Sequence, residues 1–152
     1  MVFLSRLISI GRLFYYFLNK FSILPIIMQE CSFNGVEMKY IEEIQGDIVV
    51  VKVLHTEATL KYAMEFRNYL LNLIALGHSK IVVDLTLTTF MDSTFLGALV
   101  FTLKKSVAAG GGLRIVRNKI DSPVWTMFEI TDMIKVFKIF EEPVQALESF
   151  SG

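Results

Sequence analysis

At 152 residues the chain has the length of one domain with room for a real core. It is 53% hydrophobic and carries 15 basic and 15 acidic residues, a balance that argues against nucleic-acid binding through a broad basic surface. Cys31 is the only cysteine, which excludes an intrachain disulfide and a thiolate metal cluster. His55 and His78 stand apart from any Cys/His ligand spacing, so no metal or cofactor is expected and a reducing, cytoplasmic setting fits best.

The first 29 residues are apolar and aromatic, with Arg6, Arg12 and Lys20 but no acid; the remainder holds 12 basic and 15 acidic residues, a net of −3. A membrane-spanning helix needs roughly 20 mostly apolar residues, and Arg12 and Lys20 break the stretch. The longest uncharged run, residues 21–29, contains Pro25. A signal peptide would need one clean apolar block and a small-residue cleavage site, and neither is evident. Three readings stay open. Translation starts later, at Met28 or Met38, with the codons for Gly35-Val36-Glu37 carrying a purine-rich stretch; or the segment lies on an anionic membrane surface; or it is a true anchor. The expected division is an extension over 1–37 and a folded domain over 38–152.

From Met38 the pattern alternates. Residues 39–44 read as a strand, Gly46-Asp47 as a turn, and Ile48-Val-Val-Val-Lys-Val-Leu as a β-branched second strand, together an antiparallel hairpin. A helix is predicted over about 57–76. Ala63, Phe66, Leu70, Leu73 and Ile74 share its apolar face, Lys61, Glu65, Asn68 and Asn72 its polar face, and Gly77 stops it. Residues 81–85 are a nearly continuous apolar run and read as a central strand. A second helix is predicted over about 94–109, with Leu96, Leu99, Val100, Leu103 and Val107 as its buried stripe and Gly110-Gly-Gly as its end.

Leu113-Arg-Ile-Val is the next strand. Asp121-Ser-Pro opens a short helix carrying Val124, Trp125, Met127 and Phe128. Val136-Phe-Lys-Ile-Phe is the last strand, and residues 142–150 form a closing helix with Pro143 in its first turn. The order β-β-α-β-α-β-α-β-α predicts an α/β domain with a mixed four- to five-stranded sheet. Right-handed crossovers put its helices mainly on one side.

Asp92-Ser93-Thr94 falls where a strand hands over to a helix. These are the preferred N-cap residue types, so a purely structural role is available. The same position suits a phosphorylated side chain, because a helix start presents free N–H groups and a positive dipole end. No base or metal site stands near to activate the hydroxyls. Gly110-Gly-Gly lacks the Lys-Ser/Thr of a phosphate loop and reads as a helix-ending turn. Lys104 and Lys105 read as a solvated face, and Trp125 as core or a hydrophobic lid. With no triad, metal cluster or carboxylate pair, catalysis is not expected.

Val82-Val-Asp-Leu, then Phe90-Met-Asp-Ser-Thr-Phe-Leu-Gly-Ala-Leu, then Gly110-Gly-Gly-Leu-Arg-Ile-Val resembles the STAS domain, and more closely the bacterial anti-sigma-factor antagonists. The resemblance covers about residues 38–150, including Ile130-Thr-Asp-Met. It implies that Ser93 is a phosphorylation site, with Asp92 as its acidic neighbour and Thr94 as a second hydroxyl open to modification. It implies further that the unphosphorylated protein binds an anti-sigma factor with serine-kinase activity and so releases a sigma factor. ATP-dependent phosphorylation ends that complex, and a PP2C-type phosphatase restores it.

Two departures from the family pattern stand out. Phe95 replaces the usual glycine after the hydroxyls, and is either a partly exposed partner anchor or packed against the strand-end loop. Leu54-His55-Thr56-Glu57 replaces the usual turn before the first helix, where Thr56 and Glu57 are expected to border the interface. The runner-up reading is a STAS accessory subunit of a membrane lipid or anion transport system. A flavodoxin-like enzyme would need convergent polar groups at the strand ends, of which only residues 92–94 offer any.

Overall fold

The computed structural model describes residues 39–119 and 121–152; the expectations for residues 1–37 lie outside these. Tyr40–Gln45 (β1) and Ile48–Val53 (β2) form the expected hairpin, turning at Gly46 with φ +65°. Positive φ is where glycine carries no Cβ penalty. Glu57–Ala58 (β3) precedes Leu60–Ala75 (α1), and Lys80–Asp84 (β4) follows. Phe90–Met91 (β5) leads into Ser93–Ala108 (α2), then Gly112–Val116 (β6) and Pro123–Ile130 (α3). A 3-10 turn at Met133–Lys135, Lys138–Phe140 (β7) and Pro143–Glu148 (α4) complete the domain.

The main sheet has the order β1-β2-β4-β6-β7, antiparallel at β1–β2 and parallel elsewhere. It is therefore mixed and five-stranded. Alternation along the central strands divides the core. Val49, Val51, Val53, Ile81, Val83, Leu113 and Ile115 pack with buried residues of α1, α2 and α3, including Phe66, Leu70, Phe95, Leu99 and Phe128. Ile48, Val50, Val82 and Val116 point to the opposite face, where Ala146, Leu147 and Phe150 of the closing segment cover them. Burial on both faces is why β2 and β4 read as continuous apolar runs. Three helices share one side, as crossover handedness predicts; α4 takes the other.

Both long helices end in a left-handed glycine. After α1, Gly77 (φ +97°) donates to the Ile74 carbonyl and His78 to that of Leu73; after α2, Gly110 (φ +85°) donates to Val107 and Gly111 to Ser106. These paired bonds satisfy the last carbonyls of each helix.

Several sequence expectations need correction. The first helix begins at Leu60 rather than near 57, because Glu57 and Ala58 pair in parallel with Phe90 and Met91. Of the expected stripe of α2, Leu96 and Leu99 are buried and Val100 and Leu103 pack partly buried against the core, but its centre is rotated toward Phe95, Ala98, Thr102 and Ser106, and Val107 is 58% exposed. Thr102 Oγ1 donates to the Ala98 carbonyl and Ser106 Oγ to that of Leu103, both at 2.9 Å. Hydroxyls satisfied within their own helix can be buried, and an apolar-periodicity reading passes over them. The last strand starts two residues late because the 3-10 turn takes up the chain before it.

Candidate functional site

The hydroxyl pair sits where the two long helices begin, and Asp92 holds both beginnings. It is the N-cap of α2, in extended conformation (φ −95°, ψ 169°), and its Oδ1 accepts from the Phe95 N–H at 2.9 Å. Its Oδ2 accepts from the N–H of Leu60, the first residue of α1, at 2.7 Å. Thr59, the N-cap of α1, supplies no side-chain bond of its own, so Asp92 does that work from 32 residues away. Backbone bonds lock the same place: the Asp92 N–H donates to the Ala58 carbonyl at 3.0 Å, and Leu96 N–H to that of Asp92 at 3.1 Å. Both carboxylate oxygens thus go to backbone donors at two positive helix ends.

Ser93 and Thr94, the first two residues of α2, are exposed. There is no acidic residue in the first turn of that helix. A phosphate on Ser93 would add about −1.5 to −2 charge at the positive end of the helix, beside the carboxylate of Asp92. Negative charge near a helix N-terminus is favoured by the helix dipole. A partner surface fitted to a neutral hydroxyl would face two anionic groups instead of one.

Thr56 and Glu57 are brought to the same place. The Thr56 carbonyl accepts from Thr89 N (2.8 Å), Phe90 N (3.2 Å) and Thr89 Oγ1 (3.2 Å), and Glu57 lies in register with Phe90. Both residues are exposed, as is Phe90 at 46%. Buried Thr88 ties the layer beneath by donating to the His55 carbonyl at 3.0 Å. The two-residue sheet β3–β5 therefore forms a hydrogen-bonded shoulder leading into Ser93. The β4 aspartate, Asp84, is also buried and satisfied: Oδ1 accepts from Thr86 N and Oγ1 at 2.9 and 2.6 Å, and Lys52 Nζ lies 3.9 Å from Oδ2.

Phe95 is corrected as a partner anchor. Its side chain is fully buried and its ring stacks on that of Phe66 at 4.9 Å, joining α2 to α1. Phe95 is the third residue of α2, and its own N–H is the one that Asp92 caps. Trp125 is half-buried with the Arg117 guanidinium 4.1 Å from its ring centre, and Lys104 and Lys105 are exposed.

The exposed apolar residues near this site, Leu60, Met64, Phe90 and Phe101, were not singled out from the sequence. For Phe101 the signal existed: the apolar positions of α2 exceed what one stripe holds. Among the described residues, no group of three or more His, Cys, Asp and Glu is gathered, and no helix is long and apolar enough to cross a membrane.

The STAS domain family model matches residues 40–146. Comparison with curated proteins gave no match. Among solved structures, a candidate anti-sigma factor antagonist from Thermotoga maritima is 22% identical with a TM-score of 0.66, over 74% of this chain and 95% of that one. The anti-sigma factor antagonist SpoIIAA in its unphosphorylated form is 17% identical, over 74% and 98%, with a TM-score of 0.55. The phosphorylated form from Bacillus is 15% identical, over 72% and 97%, with a TM-score of 0.54. The murine anion transporter Slc26a9 is 13% identical over 72% of this chain but only 18% of its own, with a TM-score of 0.57. At these identities the likeness establishes the fold, and it is the fold of anti-sigma factor antagonists and of a domain within a transporter. The family match runs from the start of β1 into α4, and the chain therefore belongs to the STAS domain family.

Proposed function

We propose that this protein is an anti-sigma-factor antagonist, a regulatory binding module rather than a catalyst, switched by phosphorylation of Ser93. Unphosphorylated, it binds an anti-sigma factor that is also a serine kinase and so frees a sigma factor. Phosphorylated, it lets go, and a PP2C-type phosphatase resets it. The observation that carries this reading is an exposed serine at the first position of a helix whose start Asp92 caps with one carboxylate oxygen while the other holds the start of α1. A modification there changes the surface charge while the scaffold stays put. SpoIIAA, on the same fold, is known in phosphorylated and unphosphorylated forms. Thr94 is the secondary acceptor, and Thr56 and Glu57 border the interface.

The test is incubation with ATP and extract of the source organism, followed by mapping of phosphate. A single phosphate on Ser93, lost in Ser93→Ala, with a kinase co-purifying, is expected. Absence of modification under every growth condition overturns the reading. Ser93→Asp should keep the fold and lose the partner.

A second reading, an accessory subunit of a membrane lipid or anion transport system, rests on the Slc26a9 likeness and the basic, apolar residues 1–29. Co-purification with a transporter, and no kinase, would favour it. Peptides from residues 1–27 in cells would remove the late-start reading of that segment.

A further inference from the structure

The sequence directs attention to the first turn of α2, but the exposed aromatic of that helix, Phe101, lies further along it. Ser93, Gly97, Phe101 and Lys104 or Lys105 follow one another at three- or four-residue spacing on the exposed side of the helix. Eight residues of helix place Phe101 about 12 Å from Ser93 along the axis. On α1, Leu60, Met64 and Arg67 follow the same spacing on the flank that meets α2, because the Arg67 guanidinium lies 5.1 Å from the Phe101 ring centre. Leu60 is 63% and Met64 54% exposed. A side chain at Gly97 would meet nothing within 4 Å, so packing within the domain does not demand a glycine there. Its bareness leaves the exposed side of α2 open between Ser93 and Phe101.

Beyond the Leu60 end, where both Asp92 carboxylate oxygens accept from backbone N–H groups, the charge along this strip is positive. Lys105 Nζ lies 5.6 Å from the Phe101 ring on the side chain's own helix, so two cations flank one exposed aromatic. Helix α2 contains no acid, and the only acid of α1, Glu65, lies on its other flank bound to Lys39. Elsewhere Lys80, Arg117, Lys119 and Lys135 each pair with a carboxylate. Arg67, Lys104 and Lys105 pair with none among the described residues. Uncompensated positive charge is thus gathered around one exposed ring.

We propose that the strip formed by Leu60, Met64, Arg67, Gly97, Phe101 and Lys105 is the second half of the partner-docking surface. It takes a protein face that offers an apolar pocket for Phe101 edged with carboxylates for the cations. The aromatic anchors, and the charges select and orient. This rests on the switch reading of Ser93 and names the chemistry of the same partner.

The test uses ATP and extract of the source organism as the kinase source, and follows the initial rate of Ser93 phosphorylation against substrate concentration. Wild type is compared with Phe101→Ala, Lys105→Glu and a remote charge reversal, Lys138→Glu, each checked by thermal melting. A docking contact two helical turns from the acceptor should raise the apparent KM about tenfold in the first two variants, leave kcat nearly unchanged, and spare Lys138→Glu. If wild type is modified and both variants keep its KM, the strip is not a docking surface and the switch stands. If wild type is never modified, the switch falls and the strip falls with it. Should Phe101→Ala melt early, Lys105→Glu alone decides, since that lysine is exposed and packs in no core.

Discussion

Phe95 and Phe101 lie on one helix, six residues and about 240° of rotation apart, and they belong to different parts of the molecule. Phe95 is fully buried against Phe66 and holds α2 to α1; Phe101 is 38% exposed between two cations. The inner face of α2 fixes where the serine stands, and the outer face is what a partner would meet. Proximity to Ser93 in sequence therefore misleads: the aromatic two residues from it is scaffold, and the one eight residues away is surface. The same division separates Asp92, whose carboxylate is spent on backbone donors, from Ser93, whose hydroxyl faces out.

The largest effect should come from the inner face. Phe95→Ala removes a fully buried ring from the contact between the two long helices, and such changes cost about 3–5 kcal/mol. Urea unfolding measures it. A loss below about 1 kcal/mol would show that α1 and α2 are held by something else and would dissolve the contrast with Phe101. Phe101→Ala, in the same experiment, should stay within about 0.5 kcal/mol of wild type, as surface substitutions do.

Asp92→Ala should come next. Losing a single N-cap costs about 0.5–2 kcal/mol, and this carboxylate serves two helices, so a loss near or above the top of that range is expected. Asp92→Asn keeps one acceptor oxygen and should lose less. Ser93→Asp, one residue on, should change stability little, since an acid in the first turn of a helix is mildly favourable. Equal damage from Asp92→Ala and Ser93→Asp would mean that the switch residue is itself part of the scaffold.

How much of this was legible beforehand follows the range of the forces. Local signals read correctly: the β-branched runs of β2 and β4, the Gly46-Asp47 turn and the glycine stops at 77 and 110. The sequence offers all of Asp92-Ser93-Thr94 as cap types with a helix from about 94, and the structure gives the cap to Asp92 and puts both hydroxyls inside the helix. What escaped depends on residues distant in the chain. The β3–β5 pairing joins two-residue strands 33 positions apart, and neither has a pattern of its own. The second bond of Asp92 reaches Leu60 across 32 positions. Apolar periodicity does not show the phase of α2, because Thr102 and Ser106 are polar by composition yet buried, their hydroxyls closed on their own helix. An apolar stripe through Val107 leaves Phe101 off it, although Phe101 is the aromatic on the exposed side.

Gly97→Ala sharpens the outer face. Glycine in a helix interior costs roughly 0.5–1 kcal/mol relative to alanine, and here the added Cβ meets nothing within 4 Å. The variant should be more stable by about that amount and should dock less well. Such a stability gain with unchanged phosphorylation kinetics would leave the glycine unexplained.

The smallest effect concerns the edge of the inner face, where Tyr40 stacks on Tyr69 at 5.1 Å and packs on Phe66. Burial pushes the phenol of Tyr40 up from the ordinary tyrosine value, and the charge of Glu65 adds to it. Burial raises Tyr69 as well, helped by the 2.6 Å bond its hydroxyl donates to Glu42 and by the charge of that carboxylate. A folded-state pKa above the unfolded one means that the folded protein holds the proton more tightly. The stability these phenols contribute is whole below about pH 10 and is lost as pH rises through the folded-state values. In an alkaline absorbance titration, part of the tyrosine signal should therefore lag until the domain unfolds, and Tyr69→Phe should remove part of the lagging fraction. If every tyrosine ionised near its ordinary value with the fold intact, this edge would be as open to solvent as Phe101, and the inner face would end at Phe66.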